Sequence, residues 1–425
     1  VPVIHTAELT ISDHEALPIK TFPSFEVDPL AAITATLSKL EGEGEELFNL
    51  NSTPQLVAYL KACGVNLTVL TKKGKLSTKK DVLEQLVAHP AVAELLEFRA
   101  NQTLLNTFVL PIPTKIDLTG RIHPIWSPNK ISGRWGSSPN WQNATKGKTV
   151  FKKFEAWLAQ MRLWQQGGAD PGIPNLRWQC VAPSGYTMVG SDFKQIDARV
   201  IALLTNDEWL CNAFNTGIDI HSYFAGEIFP EFLTLDGKDP TQAKRKKDLR
   251  DITKRAEYGY FYGAVIVTVW KSIMKEGYNV PISTINKLFK TFETKMPSVI
   301  RYYMNLLRAT VESGKVSSFL LGRAQYFPLG DAASDPTVIK NFVCQAGAAD
   351  VADTGIIAVH EILKQRGLGE TILQGHDAGT WLVKENDAQE VKSIILEHMA
   401  QVHTLNGVTM RFDVDVDIGS DWAST

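Results

Sequence analysis

The chain has 425 residues, 44% of them hydrophobic, and a formal net charge of −2. That length supports a large core split into two or three subdomains, and the near-neutral charge leaves any nucleic-acid contact to local patches. Four cysteines, Cys63, Cys180, Cys211 and Cys344, lie far apart with no CxxC pair, which argues against a zinc site or a disulfide framework and fits a reducing compartment.

Residues 1–23 read as an irregular extension broken by Pro2, Pro18 and Pro23, and 29–42 as a helix closed by the acidic run 41–46. In NSTPQLVAYLKACGV, Thr53 has the chemistry of an N-cap and Pro54 that of a first helical residue. STKKDVLEQLV repeats the pattern with Ser77 or Thr78 as cap, and 90–108 is helical again, so the first quarter is mostly helix. A polar, Gly- and Asn-rich segment follows, SPNKISGRWGSSPNWQNATKGK, then a helix over 151–166 and the loop GGADPGIPN. GYTMVGSDF reads as a buried strand ending in an acid, and 196–210 returns to helical periodicity. A strongly basic helix runs from Ala243 to about Tyr262, and further helices fill 283–313 and 336–364. A hairpin at 371–384, a helix near 387–404 and a closing strand, MRFDVDVDI, complete the chain. Strands are few and lead into acids, which predicts an α+β core sheet carrying a site, with helical subdomains around it. No apolar run approaches the roughly 20 residues a membrane helix needs, no signal peptide is visible, and Val1 in place of Met reads as a processed or excised piece of a longer chain.

Two stretches raise a question of chemistry. In LQGHDAGTW, apolar runs flank Gly375-His376-Asp377, which reads as a strand, a tight turn holding a carboxylate at its tip, and a second strand. In GSDFKQIDARVIALL, a strand delivers Asp192 to its end. Two carboxylates on separate strands suit a pair of divalent cations about 3.5–4 Å apart, the arrangement that stabilises the attacking and leaving oxygens of a phosphoryl transfer. In KRKKDLRDITKRAEYGYFYG, Arg250, Lys254 and Tyr258 recur at i, i+4 and i+8 and so share one helical face. A cation pair one turn apart suits a triphosphate, and the aromatic one turn on suits a base. Gly259 and Gly263 allow close approach to that face. Unrelated turn acids, a solvated basic helix paired with Asp248 and Glu257, and a packing role for His221 are the plainer alternatives, and these residues alone leave them open.

Taken together, the segments resemble the family A DNA polymerases, the group of bacterial DNA polymerase I. SDFKQIDAR is similar to the family motif DYSQIELR, RDITKRAEYGYFYG to RxxxKxxxFGxxYG, and QGHDA to VHDE. The likeness continues in family order from about residue 47 to 422. It takes in FNLNSTPQL, LEFRANQTLLNTFV, SGRWGSSPNWQN, TGIDIHSYFAGEIF, LGRAQYFP, NFVCQAGAADV and DIGSDW. Departures are Asp197 and Ala378 where the family carries Glu, and Thr103 and Thr337 where it usually carries basic residues. The stretch between Asn143 and Arg177 is longer than usual, with an added helix FKKFEAWLAQMRLW. The N-terminal part is too short for the family's proofreading exonuclease, and part of the thumb looks missing or replaced.

The resemblance implies a right-hand α+β fold with an antiparallel palm sheet and mostly helical thumb and fingers. After the extension at 1–23 it implies a thumb-like region at 24–109, palm at 110–207 and 336–425, and fingers at 208–335. It implies primer extension with dNTPs on a DNA template, two Mg²⁺ ions (Mn²⁺ as substitute) on Asp192 and Asp377, and the Phe193 carbonyl as a further ligand. Arg250, Lys254 and His221 are implied for the phosphates, Tyr258 for the incoming base and sugar, and Asp197 for the sugar side. Arg134, Asn140, Gln142, Gln195, Tyr262, Asn341, Gln345 and His376 are implied for the primer–template. The implied setting is a monomer with replisome proteins in the cytoplasm of a bacterial or phage-infected cell, without membrane contact. His123 is read as structural, and Tyr260 and Phe261 as fingers core. A single-subunit phage-type RNA polymerase and a catalytically weak DNA-binding homologue are the rival classes.

Overall fold

The computed structural model describes residues 49–71, 73–144, 153–169, 172, 174–328 and 336–425. The extension at 1–23 and the helix and acidic run placed at 29–46 lie outside them. The described chain forms two compact units, one holding 49–115 with 155–169, the other 116–154 with 172–425.

The first unit is helical. It contains α1 (Thr53–Ala62), the single turn α2 (Lys80–Leu83) and α3 (Pro90–Leu104), and most of α4 (Phe154–Gln165). Prolines stand in the first turns of α1 and α3, where their missing N–H has no helical partner to lose. The cap of α1 is Ser52, one residue ahead of the Thr53 expected from sequence. The helix expected after Ser77 is only one turn, continued as a 3₁₀ turn at Glu84–Leu86 and capped by Lys79. Its expected caps, Ser77 and Thr78, are buried instead. The Thr78 carbonyl is held by Arg99 Nη1 at 2.7 Å, so this segment is fixed by α3 rather than by its own capping. Leu56, Leu60, Val65, Leu67, Leu83, Val92 and Leu95 form the core of this unit.

The second unit begins with the hairpin β1 (Ile125–Ser127) and β2 (Gly136–Ser138) and enters its main sheet at β3 (Tyr186–Phe193). Helices α5 (Ile196–Thr205), α6 (Glu208–Asn215), α7 (Ile220–Ile228), α8 (Glu231–Thr234), α9 (Pro240–Phe261), α10 (Ile266–Lys275), α11 (Ile282–Lys295) and α12 (Pro297–Ser313) follow. Next come the hairpin β4 (Lys315–Ser317) and β5 (Ala324–Tyr326) and the long α13 (Pro336–Arg366). The chain closes with β6 (Gly369–Gln374), β7 (Ala378–Lys384), α14 (Ala388–Met399), the hairpin β8 (Val402–Leu405) and β9 (Val408–Arg411), and β10 (Val414–Gly419).

The main sheet has the order β10-β3-β7-β6, with every pair antiparallel. β3 is central, and its register sets Asp192 opposite Asp415 on one side and Ala378 on the other. α14 packs on β3 and β10, and α13 packs on β6, α14 and α5. α13 is the one helix among the described residues long and apolar enough to span a membrane, and 78% of its apolar window is buried inside the protein. The helix expected to about 404 ends at Met399, and β8 pairs with β9 across a turn where Asn406 and Gly407 both take positive φ; the closing strand expected at 410–418 is divided between the end of β9 and β10. Tyr260 and Phe261 are buried in the main core, stacked among Phe289 and Phe292. His123 bonds Asp117 across a surface turn at 2.8 Å.

Candidate active site

The hairpin between β6 and β7 and the end of β3 are stitched together by backbone. Asp377 N–H donates to the Gly375 carbonyl at 2.9 Å, and the Asp377 carbonyl accepts from Phe193 N–H at 3.1 Å. The tip carboxylate is thereby carried to the strand end that bears Asp192. Phe193 itself is buried, and the bond to Asp377 fixes the backbone from which its carbonyl was expected to serve. The Asp377 carboxyl is pushed up to about 7, first by burial and then by the negative charges of Asp192 and Asp197, with Arg134 opposing. A partly buried acid repelled by two neighbouring acids is a place where a cation lowers the energy. Ala378, directly across from Asp192, adds only a methyl group.

Two residues at this junction hold left-handed backbone: Gln195 at φ +51°, just ahead of α5, and His376 at φ +68°, beside Asp377. Histidine is among the residues enriched there, whereas Gln195 is held against its local preference. Burial and the nearby charges of Arg134 and Lys130 hold the His376 imidazole below its ordinary range.

Asp197 lies on the first turn of α5 and is buried, which raises its carboxyl against the opposing pull of Arg134, Tyr262 and Cys344. Tyr262 Oη donates to its Oδ2 at 2.8 Å, and Arg134 Nη2 stands 3.7 Å from Oδ1. Tyr262 also stacks on Tyr258, with ring centres 6.0 Å apart.

α9 supplies the basic face. Arg250 grips Asp219 through Nε at 2.7 Å and Nη2 at 3.1 Å. Lys254 Nζ lies 5.7 Å from the centre of the Tyr258 ring. Lys254 and Tyr258 help line a cleft of about 510 Å³, together with Asp251, Arg255 and Thr268. Gly259 sits where an added Cβ would fall 2.4 Å from Val269 Cγ2, so its close approach is to α10. His221, expected beside the phosphates, is 1% exposed, and its Nδ1 lies 2.9 Å from Glu257 Oε2. In this structure it is a core-facing partner of Glu257, and the motif spacing gave no sign of that buried pair.

The polar residues singled out from sequence share a feature. Among the described residues, Asn140 Oδ1, Gln142 Oε1, Gln195 Oε1, His221 Nε2 and His376 Nδ1 are buried without a hydrogen-bond partner. They are five of the ten such side-chain atoms. Orphaned buried polar atoms are costly, and these five are groups that a bound ligand would complete. Gln142 Nε2 donates to Gln374, to its carbonyl at 3.0 Å and its Oε1 at 2.9 Å, and Gln345 Nε2 donates to Asn341 Oδ1 at 2.7 Å. Sequence reasoning missed Gln374, Asp219 and Cys344. Gln374 and Asp219 flank residues already singled out, and that adjacency was the available signal. No group of three or more His, Cys, Asp or Glu side chains among the described residues is arranged to hold a metal, so any cation here rests on the two carboxylates and backbone.

With this geometry in hand, the comparisons with known proteins are specific. The profile described as DNA polymerase family A matches residues 28–424. The thermostable DNA polymerase I of Thermus filiformis is 29% identical over 411 residues, covering 91% of this chain and 43% of that protein. DNA polymerase I of Helicobacter pylori (strain ATCC 700392 / 26695) is 26% identical over 364 residues, covering 82% and 35%. The chain thus spans less than half the length of these relatives. Among solved structures, the POL domain of Pol1 from M. smegmatis, in complex with DNA primer-template and dNTP, matches with a TM-score of 0.68 at 24% identity. That match covers 93% of this chain and 64% of the other. The fold is the α+β polymerase-domain fold.

Proposed function

The chain belongs to DNA polymerase family A, and from that membership we propose that it extends a primer 3′-hydroxyl with dNTPs on a DNA template. The observation that carries the reading is the junction of β3 with the β6–β7 tip. There Asp192 comes from β3 and Asp377 from the β6–β7 tip, and the proton affinity of Asp377 is raised first by burial and then by its acidic neighbours.

Asp192 and Asp377 hold two Mg²⁺ ions in this reading, with the Phe193 carbonyl as a further ligand and Mn²⁺ as a substitute. When bound, the ions supply positive charge at the attacking and leaving oxygens. The remaining work falls to the chain. Arg250 exchanges Asp219 for phosphate oxygens, with which its planar fork can make the same bidentate contact. Lys254 adds a point charge one turn on. Tyr258 stacks at the incoming base and sugar, and burial pushes its hydroxyl above the ordinary range, so it stays a donor. Asp197 lies on the sugar side, and Tyr262 meets the template. Arg134, Asn140, Gln142, Gln195, Asn341, Gln345 and His376 take the primer–template through backbone and minor-groove acceptors. Minor-groove contacts scarcely distinguish the base pairs, as a copying enzyme requires.

In this reading the region at 24–109 serves as thumb, 208–335 as fingers, and 110–207 with 336–425 as palm. The chain works as a monomer with replisome proteins in the cytoplasm, and these 425 residues carry no 3′–5′ exonuclease.

Primer extension with labelled dNTPs or rNTPs, with and without Mg²⁺, tests the reading. The native chain should extend with dNTPs only when metal is present. Asp192→Ala and Asp377→Ala should each lose at least about a hundredfold in rate while DNA affinity holds. Extension with rNTPs alone marks a phage-type RNA polymerase, and DNA binding without extension marks a weak homologue. Trimming of a mismatched terminus in Mg²⁺ without dNTP reveals a nuclease.

A further inference from the structure

We infer that Cys344 is a positioning residue for Asp197: its thiol donates to Asp197 Oδ1 and fixes the carboxylate on the sugar side of the nucleotide pocket. The inference rests on the function proposed above for its kinetic consequence, and on geometry alone for the contact.

Both side chains are buried. Oδ2 of Asp197 is taken by the Tyr262 hydroxyl at 2.8 Å. Oδ1 faces Arg134 Nη2 at 3.7 Å, which is an ion pair but too long for a direct nitrogen–oxygen hydrogen bond. Cys344 Sγ stands 3.7 Å from that same Oδ1 and 3.7 Å from the Asp197 carbonyl. Sulfur is large, so this separation is within reach of an S–H donor where it is not for N–H. Burial and the neighbouring carboxylate raise the thiol well above its ordinary range, so it keeps its proton and has one to give. The thiol is therefore the neutral donor placed to hold Oδ1.

Chain length explains why it is needed here. Asp197 is one carbon shorter than the glutamate of the family motif, so its carboxylate sits closer to the α5 backbone and to α13 beneath it. Cys344 rises from α13 next to Gln345, in the segment where Gln345 bonds Asn341. One thiol thus links the helix proposed to carry primer–template contacts to the carboxylate proposed to face the sugar. Without the donor, Oδ1 is left with Arg134 alone and turns toward it, and the carboxylate no longer has one position against a ribose 2′-hydroxyl.

Two measurements test this. The infrared difference between the native protein and Cys344→Ala isolates the S–H stretch of this thiol. A bond to Asp197 places that band below its frequency in the Asp197→Ala background; an unchanged band overturns the contact. The second measurement is single-nucleotide incorporation efficiency. Cys344→Ala should raise rNTP use relative to dNTP by roughly three- to tenfold, the effect of weakening one buried hydrogen bond. Cys344→Ser keeps a donor hydroxyl and should restore most of the ratio. A thiol that only fills space moves stability and leaves the ratio alone, and that result overturns the positioning role. If the native chain incorporates no nucleotide, the functional reading has failed, and the infrared band still decides the contact.

Discussion

At Asp197 the side chain is held from more than one side. Its carboxylate is buried under Tyr262 and near Arg134 rather than standing free in a pocket. In the function proposed above, an aspartate on the sugar side leaves more room than a glutamate, so the native chain should admit rNTPs more readily than a variant with glutamate. Asp197→Glu is expected to lower rNTP incorporation and Asp197→Ala to raise it, by about 10- to 200-fold between the extremes. An unchanged dNTP:rNTP ratio in Asp197→Ala removes this side chain as the gate. Tyr258→Phe should act on another axis, penalising ddNTPs selectively, because its hydroxyl can stand in for a missing 3′-hydroxyl. A second residue, Asp353, gives a pH prediction away from the chemistry. Its carboxyl is raised to about 6, chiefly by burial, with Arg323 and Trp135 opposing and Asp350 adding. A folded pKa above the unfolded value favours the protonated form. Its stabilisation is complete below about 4 and is lost as pH rises through about 6. Thermal melts should therefore show a gain at this residue between pH 7.5 and 5, and Asp353→Asn should flatten it. If Asp353→Asn instead steepens the gain on acidification, the ion pair with Arg323 outweighs burial.

At the scale of elements, what the sequence showed depended on whether local signals agreed with tertiary ones. α9 was readable from its charges and periodicity, but its start was set at Ala243, whereas the helix opens three residues earlier at Pro240, where Asp239 caps Gln242 N–H. β3 and the β6–β7 hairpin were readable because apolar runs ended in acids and glycines. α10 was not, since Val265-Ile266-Val267-Thr268-Val269 is a β-branched run that favours strand. It is helical because its buried face, Val269 and Ile273, has a surface to pack on. Gly259 of α9 provides part of that surface, its missing Cβ making room for Val269. Gly259→Ala should gain helix propensity of up to about 1 kcal/mol and lose more to the clash, giving a net destabilisation of about 1–2 kcal/mol. Val269→Ala in the same chain should recover most of that loss. Denaturant melts of the four members of this cycle measure the coupling, and additive effects would show that the two residues do not share one contact.

At the scale of the whole molecule, the sequence reading placed a division between 109 and 110, six residues ahead of the unit boundary, but gave no sign that a later segment returns to the first unit. The boundary between units falls after residue 115, and the segment 155–169, inserted far along the chain, belongs with the first. No local signal marks that assignment, because it depends on contacts between residues distant in sequence. The two units also differ in how much they bury. Among the described residues, the main apolar cluster of the first has seven buried members, from Leu56 to Leu95. The second has a continuous core running from Val189 through α5, α9 and α13 to Val416. Small cores bury a smaller share of their surface and open more easily. Amide exchange should therefore be faster in α1 and α3 than in β3, β7 and α13. Leu60 is fully buried at the centre of the smaller core, so Leu60→Ala should cost about 2–5 kcal/mol there. If the cores open separately, that variant loses protection across α1 and α3 while β3 and α13 keep theirs. A matching loss in β3 and α13 would mean that the chain unfolds as one cooperative body, with the small core contributing to a shared stability.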